Sequence, residues 1–188
     1  PGPIRDARLH EAPNQTRALM FGKSDDPKAQ GFMKALAAAF TGGEPGTEVV
    51  DPDGSVVKIE APDAPGVERL MRGTTTEGPY VLRVYNAQAS KPDQYPSFPF
   101  IPGVMFTIME SADRAMVIWV GMGGASGFAD SAIQQTLADG WTEYDAPPDP
   151  AMPAGKAYRK DNRRRVIAHS SAGPMGFATL WESAELPS

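Results

Sequence analysis

The stretch Val104-Met-Phe-Thr-Ile-Met-Glu-Ser-Ala-Asp-Arg-Ala-Met-Val-Ile-Trp-Val120 decides the fold. Its two apolar runs, 104–109 and 115–120, contain the β-branched and aromatic residues that are typical of strands. A short polar link, 110–114, joins them, and this spacing predicts an antiparallel hairpin. If the other strands also reverse direction at turns that contain glycine and proline, the sheet is antiparallel. It then lacks the nucleotide-binding cleft that forms at the ends of parallel strands.

A glycine-rich segment follows this hairpin and leads into a helical pattern. The order of a strand, glycines and a helix is that of a dinucleotide-binding unit, in which backbone amides hold a pyrophosphate. The glycine spacing is off by one from that fingerprint, the preceding element is a predicted hairpin, and too few residues follow for the remaining parallel strands. We therefore predict a strand-to-helix connection. Its amides remain a weak candidate anion-binding loop, at Gly121, Gly123, Gly124 and Ser126.

Two helices are predicted. Ser24-Asp-Asp-Pro27 supplies cap residues and an early proline, and apolar residues recur at helical spacing from Lys28 until Gly42-Gly43 ends the pattern. The second helix is predicted over 128–138, with Gly140 as its stop signal.

The remaining segments are predicted to form mainly strands and turns. Predicted strands lie at 17–21, 47–50, 55–60, 80–85, 141–144 and 177–181, with a last hairpin around Asp161-Asn162 and a helical turn at Val67–Met71. The fold class is predicted as α+β, a mostly antiparallel sheet of about seven to nine strands with two main helices packed on it. A flexible tail or linker is expected at 1–16 and a single domain at 17–188.

Composition excludes several classes of protein. The 188 residues include no cysteine, so disulfides, thiolate zinc sites and cysteine nucleophiles are excluded. The net charge of −5 argues against general nucleic-acid binding, and no apolar stretch is long enough to cross a membrane. We expect no metal and no cofactor. Because the chain starts at Pro1 rather than at methionine, we expect a processed or trimmed form, and an extracytoplasmic location is favoured slightly over a cytoplasmic one.

Basic residues are concentrated in one predicted hairpin. Between positions 156 and 165, six basic residues accompany a single acidic one on an otherwise acidic chain. Clustered guanidinium groups bind phosphate, carboxylate or an acidic protein surface. The alternative is a solvated hairpin whose charges prevent pairing with other strand edges. The candidate binding residues here are Arg159, Lys160, Arg163, Arg164 and Arg165.

A long loop punctuated by prolines, 87–102, carries a second set of candidates. Proline restricts the backbone and lowers the entropic cost of presenting aromatic side chains to a partner or pocket. The candidates are Tyr95, Phe98 and Phe100. The alternative, which we favour, is that these aromatic rings fill the end of the core.

No catalytic constellation emerges, so the sequence favours a non-enzymatic binding or accessory module. It would contact a protein partner or an anionic ligand through the basic hairpin. One alternative is a small enzyme with a pocket between the sheet, the glycine-rich loop and the loop 87–102, which we call the aromatic–proline loop. Such an enzyme would use dispersed acidic residues or His169. Another is a structural subunit of a larger assembly.

Overall fold

A computed structural model describes residues 44–50, 56–75, 78–112, 114–147 and 155–184 of the chain. These residues form ten strands and one helix. The elements are β1 Glu48–Val50, β2 Val56–Glu60, β3 Val67–Thr75, β4 Gly78–Tyr85, β5 Met105–Ser111, β6 Arg114–Met122, α1 Ala125–Ala138, β7 Thr142–Tyr144, β8 Lys156–Lys160, β9 Arg163–Ala172 and β10 Met175–Ala184.

All ten strands belong to one antiparallel sheet, in the order β1-β2-β3-β4-β5-β6-β10-β9-β8-β7. The first six strands lie side by side in the sheet in the order in which they occur along the chain. After α1 the chain enters at the opposite edge as β7 and returns inward until β10 pairs with β6. The predicted central hairpin is confirmed, with Met105 opposite Val120 and Glu110 opposite Ala115.

The predicted fold class, a sheet of about seven to nine strands with two main helices packed on it, is wrong. The described ranges contain one ten-stranded antiparallel sheet and a single helix, so the fold is mostly sheet. The predicted first helix over 28–41 lies outside the described residues, as do the predicted strand at 17–21 and the tail at 1–16. The predicted second helix is confirmed and begins at Ala125, three residues before the expected start.

The segment Val67–Met71, predicted as a helical turn, is instead the first half of β3. Leu70 and Met71 are both buried, and they belong to the cores on opposite faces of the sheet. Adjacent residues reach opposite faces only in a strand. Pairing with β4, which places Leu70 opposite Arg83, therefore overrides the local helical pattern.

Apolar side chains are buried on both faces of the sheet. One cluster includes Leu82, Met116 and Trp181. The opposite face carries Trp119 and Leu180 together with small residues of α1, and we call it the helix face. Because β6 and β10 bury side chains on both faces of the sheet, their sequences are nearly continuous apolar runs and do not alternate between apolar and polar residues.

Helix α1 packs against β6, β9 and β10. Ala129 and Ala132 are buried against the sheet, and their small side chains allow close packing. No helix of the described ranges combines the length and hydropathy that a membrane crossing requires.

Candidate binding cleft

Four residues form a row across the helix face of the sheet. Glu110 on β5 lies opposite Ala115 on β6, which lies opposite Glu182 on β10, which lies opposite Arg165 on β9. Neighbouring strands are about 4.8 Å apart, so the backbones of the two glutamates lie about 10 Å from each other. The small side chain of Ala115 leaves open space between them.

The aromatic–proline loop covers this end of the sheet, and its backbone is hydrogen-bonded to two side chains of the elements beneath it. The side-chain amide of Gln135, on α1, donates to the carbonyl of Phe100 and accepts from its N–H, both at 2.9 Å. The carbonyl of Ser97 accepts a hydrogen bond from Arg165 Nη2 at 3.3 Å. The loop is therefore attached to both the helix and the sheet.

A cleft of about 280 Å³ lies between this loop and the end of the sheet. We call it the loop cleft. Its main polar side chains are Tyr95, Ser97, Glu110, Arg114, Arg163 and Glu182. The described residues contain no group of three or more His, Cys, Asp or Glu side chains that could hold a metal ion.

Arg83 organises one side of the loop cleft. Its guanidinium group binds the carboxylate of Asp63 through two hydrogen bonds, at 2.8 and 3.1 Å, and contacts Glu110 Oε1 at 3.2 Å. The hydroxyl of Tyr95 accepts from Arg83 at 2.8 Å and donates to Glu110 Oε1 at 2.9 Å. The hydrogen bond to Asp63 is the main reason that the pKa of Arg83 is raised. Burial, followed by the bond to Glu110, raises the pKa of Tyr95.

Glu182 organises the other side of the loop cleft, between two guanidinium groups. Its carboxylate is buried; Oε1 accepts from Arg163 Nε at 3.0 Å, and Oε2 lies 3.6 Å from Arg165 Nη2. Arg165 is fully buried, donates to Thr136 on α1 at 3.0 Å and packs over the ring of Trp141 at 4.1 Å. Burial lowers the pKa of Arg165, and the nearby Glu182 opposes that effect.

The basic hairpin predicted from the sequence is formed by β8 and β9, and its cations are divided between the two faces of the sheet. Arg163 and Arg165 share the helix face, and Lys160 contacts Asp139 beside the end of α1. Arg159 packs over Tyr144 at 5.0 Å, while Arg164 donates to Ser183 at 3.3 Å. Of the three consecutive arginines, Arg163 is the one that lines the loop cleft, with 56% of its side chain exposed.

The aromatic candidates lie largely within the core. Tyr95 and Phe98 are buried and stacked on each other, with ring centroids 5.5 Å apart. Phe100 is partly buried and meets Phe106 edge to face at 6.1 Å. These positions agree with the interpretation that the rings fill the end of the core, although Tyr95 and Phe98 also line the loop cleft.

The glycine-rich loop lies at the other end of β6, away from the loop cleft. A side chain on Gly121 would collide with the ring of Phe128, and one on Gly176 would meet the Gly123 carbonyl at 2.5 Å. Gly123 and Gly124 have φ values of 68° and 76°, a conformation that glycine adopts most readily. The Gly123 amide donates to the carbonyl of Pro174 at 2.8 Å, so one of the predicted anion-binding amides is used within the fold. Ser126 is exposed in the first turn of α1.

Sequence reasoning did not assign a role to Asp63, Arg83, Glu110 or Glu182. The sequence could have singled out Arg83, because this residue places a charge within the apolar run Tyr80-Val-Leu-Arg-Val-Tyr85. A charged residue within such a run needs a partner of opposite charge once it is buried. Its partners Asp63 and Glu110 are 20 and 27 residues away, so local patterns do not identify them.

Comparisons with family models, with curated proteins and with solved structures find no match to this chain.

Proposed function

We propose that this protein is a non-enzymatic binding module for a small anionic ligand, which Arg163 binds at the loop cleft. One observation carries the proposal: the guanidinium groups of Arg163 and Arg165 share the single carboxylate of Glu182. Two guanidinium groups therefore contact one carboxylate, and the buried Arg165 cannot turn to solvent. A carboxylate or phosphate at Arg163 would give this exposed guanidinium group an anionic partner of its own through charge-assisted hydrogen bonds.

Arg163 suits this role because it is both exposed and held in place. More than half of its side chain is exposed, while its Nε is bonded to the buried Glu182. A guanidinium group that is already oriented loses less conformational freedom when a ligand binds. Of the five candidate residues in the predicted basic hairpin, Arg163 is the one that lines the loop cleft.

The same geometry supports binding rather than catalysis. The carboxylates in the loop cleft, Glu110 and Glu182, are both engaged by guanidinium groups. Both carboxylates therefore act as charged hydrogen-bond acceptors. Acid–base catalysis requires instead a group that donates a proton and a base that accepts one. His169, considered for the enzyme alternative, is not among the residues that line the loop cleft.

The test is to measure the affinity of the protein for acetate, butyrate, inorganic phosphate and phenyl phosphate by isothermal titration calorimetry. We expect at least one of these anions to bind, and we expect Arg163→Gln to weaken that binding about tenfold or more, since charge-assisted pairs are the strong ones. Circular dichroism would establish that the variant is folded.

Arg159→Gln is the matched control, because Arg159 belongs to the same hairpin but packs over Tyr144 on the opposite face. It should bind the anions as the wild type does. Equal losses in the two variants would indicate a diffuse surface effect, and that result, or a failure of every anion to bind, would refute the proposal.

A further inference from the structure

We infer that the ligand of the loop cleft is a zwitterion, with its anionic group at Arg163 and its ammonium group at Glu110; this inference rests on the proposed anion site. The ionic groups beside the cleft are unequally matched at its two sides. Arg163 and Arg165 share one carboxylate, that of Glu182. At the opposite side, two carboxylates share one guanidinium group.

That opposite side consists of Asp63, Arg83 and Glu110. Asp63 takes both Nε and Nη2 of Arg83, with the shorter contact at 2.8 Å. Glu110 receives only Nη1, at the longer distance of 3.2 Å. Arg83 is therefore largely committed to Asp63, and the carboxylate of Glu110 is incompletely neutralised. A ligand cation at Glu110 would give this carboxylate a cationic partner that it does not share with Asp63.

Glu110 presents its charge to the cleft in a fixed orientation. The bonds from Arg83 and from the Tyr95 hydroxyl both end on Oε1. These bonds hold one oxygen of the carboxylate, yet 41% of the side chain is exposed. An ammonium group binds such a carboxylate through charge-assisted hydrogen bonds, which are about twice as strong as neutral ones.

The two charged sides are separated by a gap that a small molecule can span. Glu110 and Glu182 lie on either side of Ala115, with backbones about 10 Å apart. The guanidinium group of Arg163 is bonded to Glu182, so the cationic side of the cleft lies on the far side of Ala115 from Glu110. Arg114 also lines the cleft, but its guanidinium group packs over Trp181 at 5.7 Å, and Trp181 belongs to the other face of the sheet.

Three matched series of compounds test the inference by titration against the full chain. The zwitterions are glycine, β-alanine and γ-aminobutyrate; the acids are acetate, propionate and butyrate; the amines are methylamine, ethylamine and propylamine. We expect at least one zwitterion to bind about tenfold more tightly than the acid and the amine of matching length. Glu110→Gln should remove that preference while leaving the affinity for the acid unchanged or stronger.

Two variants separate this inference from the proposed function. Arg163→Gln should weaken the binding of acids and zwitterions alike, and Glu143→Gln, an exposed glutamate on β7, should change neither. If acids bind as tightly as zwitterions and Arg163→Gln weakens both, the anion site stands and the zwitterion inference fails. If Arg163→Gln changes nothing, or if no compound binds, the anion site fails and the inference fails with it.

Discussion

Arg165 and Glu182 are cross-strand partners on β9 and β10 that bury opposite charges beneath α1, with Nη2 and Oε2 3.6 Å apart. Among the described residues, Arg165 Nε and Glu182 Oε2 are buried atoms without a hydrogen-bond partner. The pair is thus held mainly by its surroundings, namely Thr136, the Ser97 carbonyl and the ring of Trp141. Its contribution to stability depends on both charges being present.

Removing Glu182 alone should be strongly destabilising. Glu182→Gln leaves Arg165 buried without a counter-charge, and breaking a buried pair by removing one partner costs about 3–5 kcal/mol. Urea denaturation would measure the loss in the free energy of unfolding. The double variant Arg165→Met with Glu182→Met should recover much of that loss, since apolar replacement of a buried pair is often neutral or stabilising. Wild-type stability in Glu182→Gln would contradict this account.

Gly176 is the position at which an added methyl group should be most harmful to the packing of α1. Its Cβ would lie 2.5 Å from the Gly123 carbonyl and 2.9 Å from the Ala125 amide, both backbone atoms. We expect Gly176→Ala to lower the free energy of unfolding by about 1–3 kcal/mol or more, because the start of α1 must move away from β10.

Gly127→Ala is the control for that substitution. Gly127 lies within α1, has no atom near its would-be Cβ and is not in the left-handed region. Alanine should stabilise the helix there by about 0.5–1 kcal/mol. Thermal and urea unfolding of the two variants should therefore shift in opposite directions, and a shift in the same direction would show that the contact at Gly176 is not limiting.

The sequence predicted those features that depend on neighbouring residues. The β5–β6 hairpin and helix α1 follow from local periodicity and turn signals. The turn between β8 and β9 also followed, since Asp161 takes a φ of 54°, which aspartate tolerates better than most residues. Each of these features is decided within about twenty residues of chain.

The loop cleft was not predicted, because it depends on which distant strands become neighbours. Arg165 contacts Ser97, 68 residues earlier, and Thr136, 29 residues earlier. The pairing of β10 with β6 places Glu182 beside Ala115, and alternation alone specifies only which face Glu182 occupies. The sequence therefore identified Arg163 as a candidate but not the carboxylates that orient it.

Gln135 should control how firmly the aromatic–proline loop is held. Its amide makes two hydrogen bonds to the backbone of Phe100, each worth about 1 kcal/mol. Gln135→Ala should increase cleavage of the loop by chymotrypsin and speed amide hydrogen exchange between residues 94 and 101. Gln134→Ala, which removes the exposed neighbouring side chain, should leave both rates unchanged. Equal rates in the two variants would mean that the loop is held elsewhere.

Asp63 should make stability depend on pH in the acidic range. Its hydrogen bonds with Arg83 lower the pKa of the Asp63 carboxyl below its usual value. A carboxyl group whose pKa is lower in the folded state contributes stability that is complete above its unfolded pKa, about 3.9, and is lost as the pH falls through the folded pKa. The difference in unfolding free energy between wild type and Asp63→Asn should thus be constant near neutral pH and shrink below about pH 4.

This difference is best measured by urea denaturation at a series of pH values, with Asp93→Asn as the control. Asp93 is an exposed acidic residue of the aromatic–proline loop, so its amide variant should follow the wild type throughout. A gap between wild type and Asp63→Asn that stays constant down to about pH 2 would show that the pair with Arg83 does not stabilise the fold. In that case Arg83 would not be committed to Asp63, and its guanidinium group would be available to neutralise Glu110.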